Sequence, residues 1–147
     1  MKLIDGLLDY STKWTLPNVY LFTGNSVIKN NGAIVMGRGA AKQVRDSYKD
    51  IDKSFGLAIE ARPGVNLIWI TLPGDQHIGW FKVKEHWQQP ALRDVIASST
   101  KELVHRAEQR PHFTFHMNYP GIGNGRLDEA HIQPIIETLP DNVLIYR

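Results

Sequence analysis

The chain is predicted to fold as an α/β domain, a mixed sheet layered between helices, on three observations. Short apolar and β-branched runs alternate along the sequence with segments of helical spacing. Two glycine loops, Met36-Gly37-Arg38-Gly39-Ala40-Ala41 and Gly121-Ile122-Gly123-Asn124-Gly125, each stand where a strand hands over to a helix. No repeat, linker or low-complexity stretch breaks the 147 residues, a length suited to one domain (1–147) with its own core.

In chain order, residues 18–23 form the first predicted strand, an apolar run between Pro17 and Gly24. A helix is predicted after Gly39, through about Tyr48. Residues 65–71 make a second strand, bounded by Pro63-Gly64 and Pro73-Gly74, and residues 77–83 its partner or an extension of the same sheet. The clearest helix starts near Pro90, a favoured first-turn residue. Leu92, Val95, Ile96, Ser99, Leu103 and Ala107 share one stripe, with Arg93, Asp94, Lys101 and Glu108 off it. Residues 112–117 alternate as a strand. Ile132, Ile135, Ile136 and Leu139 predict a short amphipathic helix, and residues 142–146 a last strand. Ligands of such sheets collect at the carboxyl ends of strands, where both glycine loops fall.

Composition narrows the function classes. Without cysteine, disulfides and zinc–thiolate sites are excluded, which fits a reducing compartment, though many exported proteins also lack cysteine. Asp5 interrupts the N-terminus too early for a signal peptide's apolar core, and no stretch approaches the ~20 apolar residues that span a bilayer. A formal charge of +2 is too small to argue nucleic-acid binding by itself. The histidines are scattered, with no accompanying carboxylate cluster, so neither metal nor cofactor is implied. The expectation is a cytoplasmic protein with no membrane association and no obligate protein partner.

Glycine bends the backbone through positive φ and admits a ligand without a Cβ in the way. A helix N-terminus adds free N–H groups and a positive dipole end, which suit a phosphate. Two such loops predict a clamp holding a diphosphate from both sides. Neither matches the dinucleotide fingerprint: Lys42 and Arg126 stand where its small third residue belongs. Neither ends in Gly-Lys-Ser/Thr. The residues alone therefore reach a phosphate-binding α/β domain.

A resemblance goes further. Asn25-Ser26-Val27-Ile28, Asn31-Gly32 and Val35-Met36-Gly37-Arg38-Gly39-Ala40-Ala41 together resemble the first ligand loop of a macrodomain, the ADP-ribose-binding module. Phe81-Lys82-Val83-Lys84-Glu85-His86-Trp87 is similar to the Phe-Pro-Thr-Lys-x-His-Trp motif of one macrodomain branch. That branch includes antitoxins that strip ADP-ribose from thymidine in DNA, and it is close to the terminal ADP-ribose protein glycohydrolases. Gly121 to Asp128 is similar to the branch's Gly-Cys-Gly-Asn-Gly-Gly-Leu-Asp, and residues 142–146 suit its final strand. The resemblance covers nearly the whole chain and implies a three-layer α/β/α macrodomain-like fold with a central mixed sheet.

By that resemblance, Met36, Gly37, Arg38, Gly39 and Ala40 and the loop Gly121, Ile122, Gly123, Asn124, Gly125 and Arg126 enclose the diphosphate and distal ribose. Asn25 matches an asparagine near that ribose; Asn31 is its rival, because the Asn30-Asn31-Gly32 insertion shifts the alignment. Lys84 matches the catalytic lysine, whose amine attacks C1″ of the distal ribose. This chemistry needs a partly neutral amine, hence one desolvated or near other cations. Lys82 shares its face of the strand. His86 is read as positioning a phosphate or transferring a proton or, equally, as a local brace, and Trp87 as core packing rather than base stacking.

Two departures bear on the substrate. The usual Gly-Asp-Leu at the adenine end is missing, leaving Asp5 or Asp9 as substitutes or adenine held otherwise. Gly125 occupies the place of the aspartate of the protein-directed enzymes. The implied activity is an ADP-ribosyl hydrolase acting on ADP-ribosylated DNA, with an ADP-ribosylated acidic protein side chain second. The alternatives are a non-catalytic ADP-ribose reader and an ADP-ribose 1″-phosphate phosphatase.

Overall fold

The computed structural model describes residues 1–13, 15 and 17–147. Its elements are β1 (Lys2–Ile4), β2 (Asn18–Gly24), α1 (Gly39–Ser47), α2 (Ile51–Ala61), β3 (Leu67–Leu72), β4 (Gln76–Lys82), α3 (Arg93–Gln109), β5 (Thr114–Asn118), α4 (Glu129–Ile136) and β6 (Val143–Tyr146). The strands form one six-stranded sheet in the order β1-β6-β5-β2-β4-β3. Its pairs are parallel except β3–β4, a hairpin closed through Gly74 and Asp75 at φ 82° and 60°. The predicted mixed sheet is therefore parallel with one antiparallel edge.

Alternation along the strands divides the core into two layers. Val19, Leu21, Phe81, Phe115 and Met117 pack against Ile96, Leu103 and Ala107 of α3 and Ile132 and Ile136 of α4. On the other face Tyr20, Phe22, Ile78 and Trp80 meet Val44 of α1 and Ile51 and Phe55 of α2. This is a three-layer α/β/α arrangement, as expected. Gly79 is bare because Leu21 fills its place: a Cβ there would lie 2.2 Å from Leu21 Cδ2.

Some elements differ from the sequence reading. β1 and α2 were not predicted. Gly56, poor in helix propensity, sits mid-α2 because a Cβ would fall 1.8 Å from the Gly32 carbonyl oxygen. The long helix begins at Arg93 rather than Pro90. The preceding residues are bonded away: the Ala91 amide donates to Gly125 O and the Leu92 amide to Val83 O. β5 starts at Thr114, since the Phe113 amide closes a turn onto Arg110. β3 starts at Leu67, where the ladder to β4 begins.

Candidate functional site

β1, β6, β5, β2 and β4 run parallel, so their carboxyl ends share one edge of the sheet. After β2 the chain passes to α1 and α2 on one face; after β4 and β5 it passes to α3 and α4 on the other. Where neighbouring connections leave on opposite faces, a crevice opens. Here it is a cavity of about 580 Å³.

The first glycine loop enters it at the head of α1. Arg38 is extended (φ −144°, ψ 155°) and makes no side-chain cap, so the first turn of α1 presents its amides unblocked. The second loop is a 3-10 turn, Gly123–Gly125, with Gly121 and Gly123 at φ 82° and 64°. It is closed by Gly125 N to Ile122 O, Arg126 N to Gly123 O and Leu127 N to Gly121 O. Among the described residues, the amides of Ile122, Gly123 and Asn124 donate to no protein acceptor. The loops nearly touch: a Cβ on Gly39 would lie 3.0 Å from Asn124 Nδ2.

Most of the anticipated residues meet at this cavity. Asn25, Gly37, Arg38, Gly39, Ala40, the run Gly121, Ile122, Gly123, Asn124 and Gly125, and Lys84 all line it. Three anticipated residues stand off it. Met36 is buried beneath the first loop beside Ile34 and Val44. Asn31 closes a turn, its Oδ1 accepting from the Ala33 amide at 3.0 Å. Arg126, exposed at φ 61°, donates to Gln88 O at 3.3 Å. Asn25 builds the loop from within, donating from Nδ2 to Val35 O (3.1 Å) and accepting from the Val27 amide (3.0 Å).

Lys84 lies two residues beyond the end of β4. Its half-buried amine donates to Gln89 O at 3.1 Å. Burial first, then the charges of Arg126 and Arg38, hold that amine below the usual lysine range. Lys82, two residues earlier, has a different fate. It pairs with Glu85 at 2.8 Å, and the same carboxylate oxygen accepts from Ser26 Oγ at 2.9 Å. Lys82 does not line the cavity; Lys84 does. The Lys82 bond and the Ser26 hydroxyl keep the Glu85 carboxyl below its ordinary range.

His86 accepts the Gln88 amide at Nδ1 (3.3 Å) and stacks on Trp87, with centroids 5.9 Å apart and planes 23° from parallel. Trp87 departs from the core-packing expectation: it is 37% exposed and lines the cavity, because the chain has left the sheet before reaching it.

Residues outside the sequence reading wall the rest. Leu7, Gln43, Asn118, Tyr119, Tyr146 and Arg147 line the cavity. Four of these end or follow β5 and β6, and that strand-end position was the available signal. Neither Asp5 nor Asp9 lines it; Asp9 Oδ1 instead binds the amide and hydroxyl of Ser11. Behind Tyr146, its hydroxyl meets His116 Nδ1 at 2.7 Å, and His116 Nε2 meets Asn18 Oδ1 at 2.8 Å. Asn18 Nδ2 donates to Thr15 O, so Oδ1 is the acceptor and His116 carries its proton on Nε2. Burial pushes His116 down to about 4.

Among the described residues, no group of three or more His, Cys, Asp or Glu side chains is placed to hold a metal ion. No helix among them is long and apolar enough to cross a membrane.

No family model and no curated protein matches the sequence. Solved structures do. The macrodomain of Thermus aquaticus DarG aligns with a TM-score of 0.73 and 23% identity over 99% of this chain and 95% of that one. The macrodomain of Mycobacterium tuberculosis DarG aligns with a TM-score of 0.73 and 24% identity over 98% and 96%. Thermosipho africanus DarTG in complex with ADP-ribose gives 0.73 and 19% identity over 89% of this chain and 38% of that one. At these identities the likeness establishes the fold, which is that of a macrodomain.

Proposed function

We propose that this macrodomain-fold chain is an ADP-ribosyl hydrolase, with the two glycine loops holding the diphosphate of ADP-ribose and Lys84 acting as nucleophile at the distal ribose. The observation that carries the reading is the lysine itself. Its amine stands half-buried at the wall of the cavity that both loops line, held below the usual lysine range by burial and two arginines. A solvated lysine would be almost wholly protonated near neutral pH and unable to attack. The solved complex of Thermosipho africanus DarTG with ADP-ribose supports the choice of ligand.

In the proposed reaction the neutral amine attacks C1″. The bond from C1″ to the modified group breaks, and that group departs with the electron pair and takes up a proton. Water then attacks C1″ of the covalent adduct, releasing ADP-ribose and restoring the amine. Burial first, then Arg126 and Arg38, favour the neutral form of the amine, and the two arginines offset diphosphate charge in the complex. The loop amides do the positioning, which converts attack at C1″ into a reaction between neighbours. Mono-ADP-ribose on a DNA thymidine is the favoured substrate, with an acidic protein side chain second.

The test compares wild type, Lys84→Ala and Lys82→Ala. The substrates are thymidine-ADP-ribosylated DNA, glutamate-ADP-ribosylated protein and ADP-ribose 1″-phosphate, with ADP-ribose affinity measured alongside. Lys84→Ala is expected to keep its affinity within a few-fold and to lose turnover by at least 10³-fold, the order expected when a covalent nucleophile is removed. Lys82→Ala is expected to retain turnover. Binding without turnover of any substrate by the wild type would make the protein a reader; preferential turnover of the 1″-phosphate would make it a phosphatase.

A further inference from the structure

We infer that the stacked His86–Trp87 pair is a platform for the group that leaves C1″, and that it selects a flat nucleobase over a flexible acidic side chain. This inference rests on the hydrolase reading above and adds the determinant of its substrate. Trp87 is three residues beyond Lys84 and lines the same cavity, with 37% of its surface exposed. Trp80, which shares the strand leading to it, is wholly buried and donates its Nε1 proton to Asn25 O. The chain therefore hides one indole and presents the other at the cavity that Lys84 also lines.

The local geometry prepares Trp87 for stacking. His86 covers the indole in near-parallel alignment, and its own ring is held by the Gln88 amide. The next carbonyls, of Gln88 and Gln89, bind Arg126 and Lys84. Residues 86–89 thus fasten an aromatic face, a cation and the nucleophile within one turn of chain. A base leaving C1″ has a π-face for Trp87 to stack on. A glutamate carboxyl has none. Stacking of this kind reads no sequence but requires the base to be out of the duplex stack, so the substrate is the modified base of single-stranded or locally opened DNA.

The experiment pairs a single-stranded oligonucleotide bearing one ADP-ribosylated thymidine with a glutamate-ADP-ribosylated peptide. Trp87→Ala is expected to lower kcat/KM on the oligonucleotide by roughly 5- to 100-fold, the span of one base–aromatic stack, while leaving ADP-ribose affinity within about twofold. Trp87→Phe is expected to recover most of the loss. An equal loss on oligonucleotide and peptide, or none on the oligonucleotide, overturns the inference.

Binding is read separately in Lys84→Ala protein. There the oligonucleotide is expected to quench tryptophan fluorescence more than ADP-ribose does, and adding Trp87→Phe should abolish the excess. Excess quenching that survives Trp87→Phe overturns the platform. Undiminished turnover by Lys84→Ala would overturn the nucleophile while the ADP-ribose and oligonucleotide titrations of Trp87→Phe still decide the stacking.

Discussion

Acidification from pH 7.5 to 5.0 is expected to cost this protein about 2 kcal/mol of stability through His116 alone. The ring is 2% exposed, and burial lowers it from an ordinary 6.5 to about 4. Between those values the unfolded chain binds a proton that the folded chain refuses. The stability is therefore fully present above pH 6.5 and is lost as pH falls toward 4. Each unit is worth ~1.4 kcal/mol, so the 1.5 units from 6.5 to 5.0 cost about 2 kcal/mol, or a fall of roughly 4–8 °C in Tm for a chain of this size. The carboxylates with lowered values, Asp9, Asp46 and Glu85, respond below the ordinary carboxylate range and so fall outside this window. His77, also lowered by burial, remains as background in every variant. Calorimetry at both pH values on wild type and His116→Gln is the assay. The glutamine has no proton to take up, so most of the pH-dependent loss should vanish. A Tm difference between pH 7.5 and 5.0 as large in His116→Gln as in wild type would refute the reasoning.

Two further predictions concern the cavity. Arg126→Gln removes one of the cations that depress Lys84, so the amine should deprotonate at higher pH. The rising limb of the kcat–pH profile is expected to move to alkaline pH, with lower activity at neutrality; an acid shift would exclude a neutral amine as the attacking form. Gly39→Ala places a side chain at φ 56° and 3.0 Å from Asn124 Nδ2. The left-handed strain of ~1–2 kcal/mol predicts a Tm lowered by about 2–8 °C, and crowding between the loops an ADP-ribose Kd raised about tenfold by titration calorimetry.

The sequence carried the layer plan because periodicity is local. The apolar run 18–23 reports burial on both faces and the helical stripe reports burial on one, and the structure places them in β2 and α3, with Leu92 left exposed just ahead of the helix. α2 escaped notice because its middle glycine answers to Gly32, a partner distant in sequence. Motif order likewise led to the glycine loops and Lys84, which now share one cavity. Spacing gave no way to separate Lys84 from Lys82. What separates them is a salt bridge to Glu85 at 2.8 Å, a fact of three dimensions. Trp87 was misread for a related reason: residue type favours burial, but the chain reaches that position after leaving the sheet. The far wall of the cavity was the least legible, since Leu7, Gln43 and Tyr146 come from distant parts of the chain.

Ser26 and Glu85 meet three times, the Ser26 amide and hydroxyl both donating to the Glu85 carbonyl and the hydroxyl also to the carboxylate, whose same oxygen pairs with Lys82. The chain leaving β2 is thereby fastened to the chain leaving β4. The entrance to the first glycine loop and the segment that carries Lys84 are therefore tied to each other.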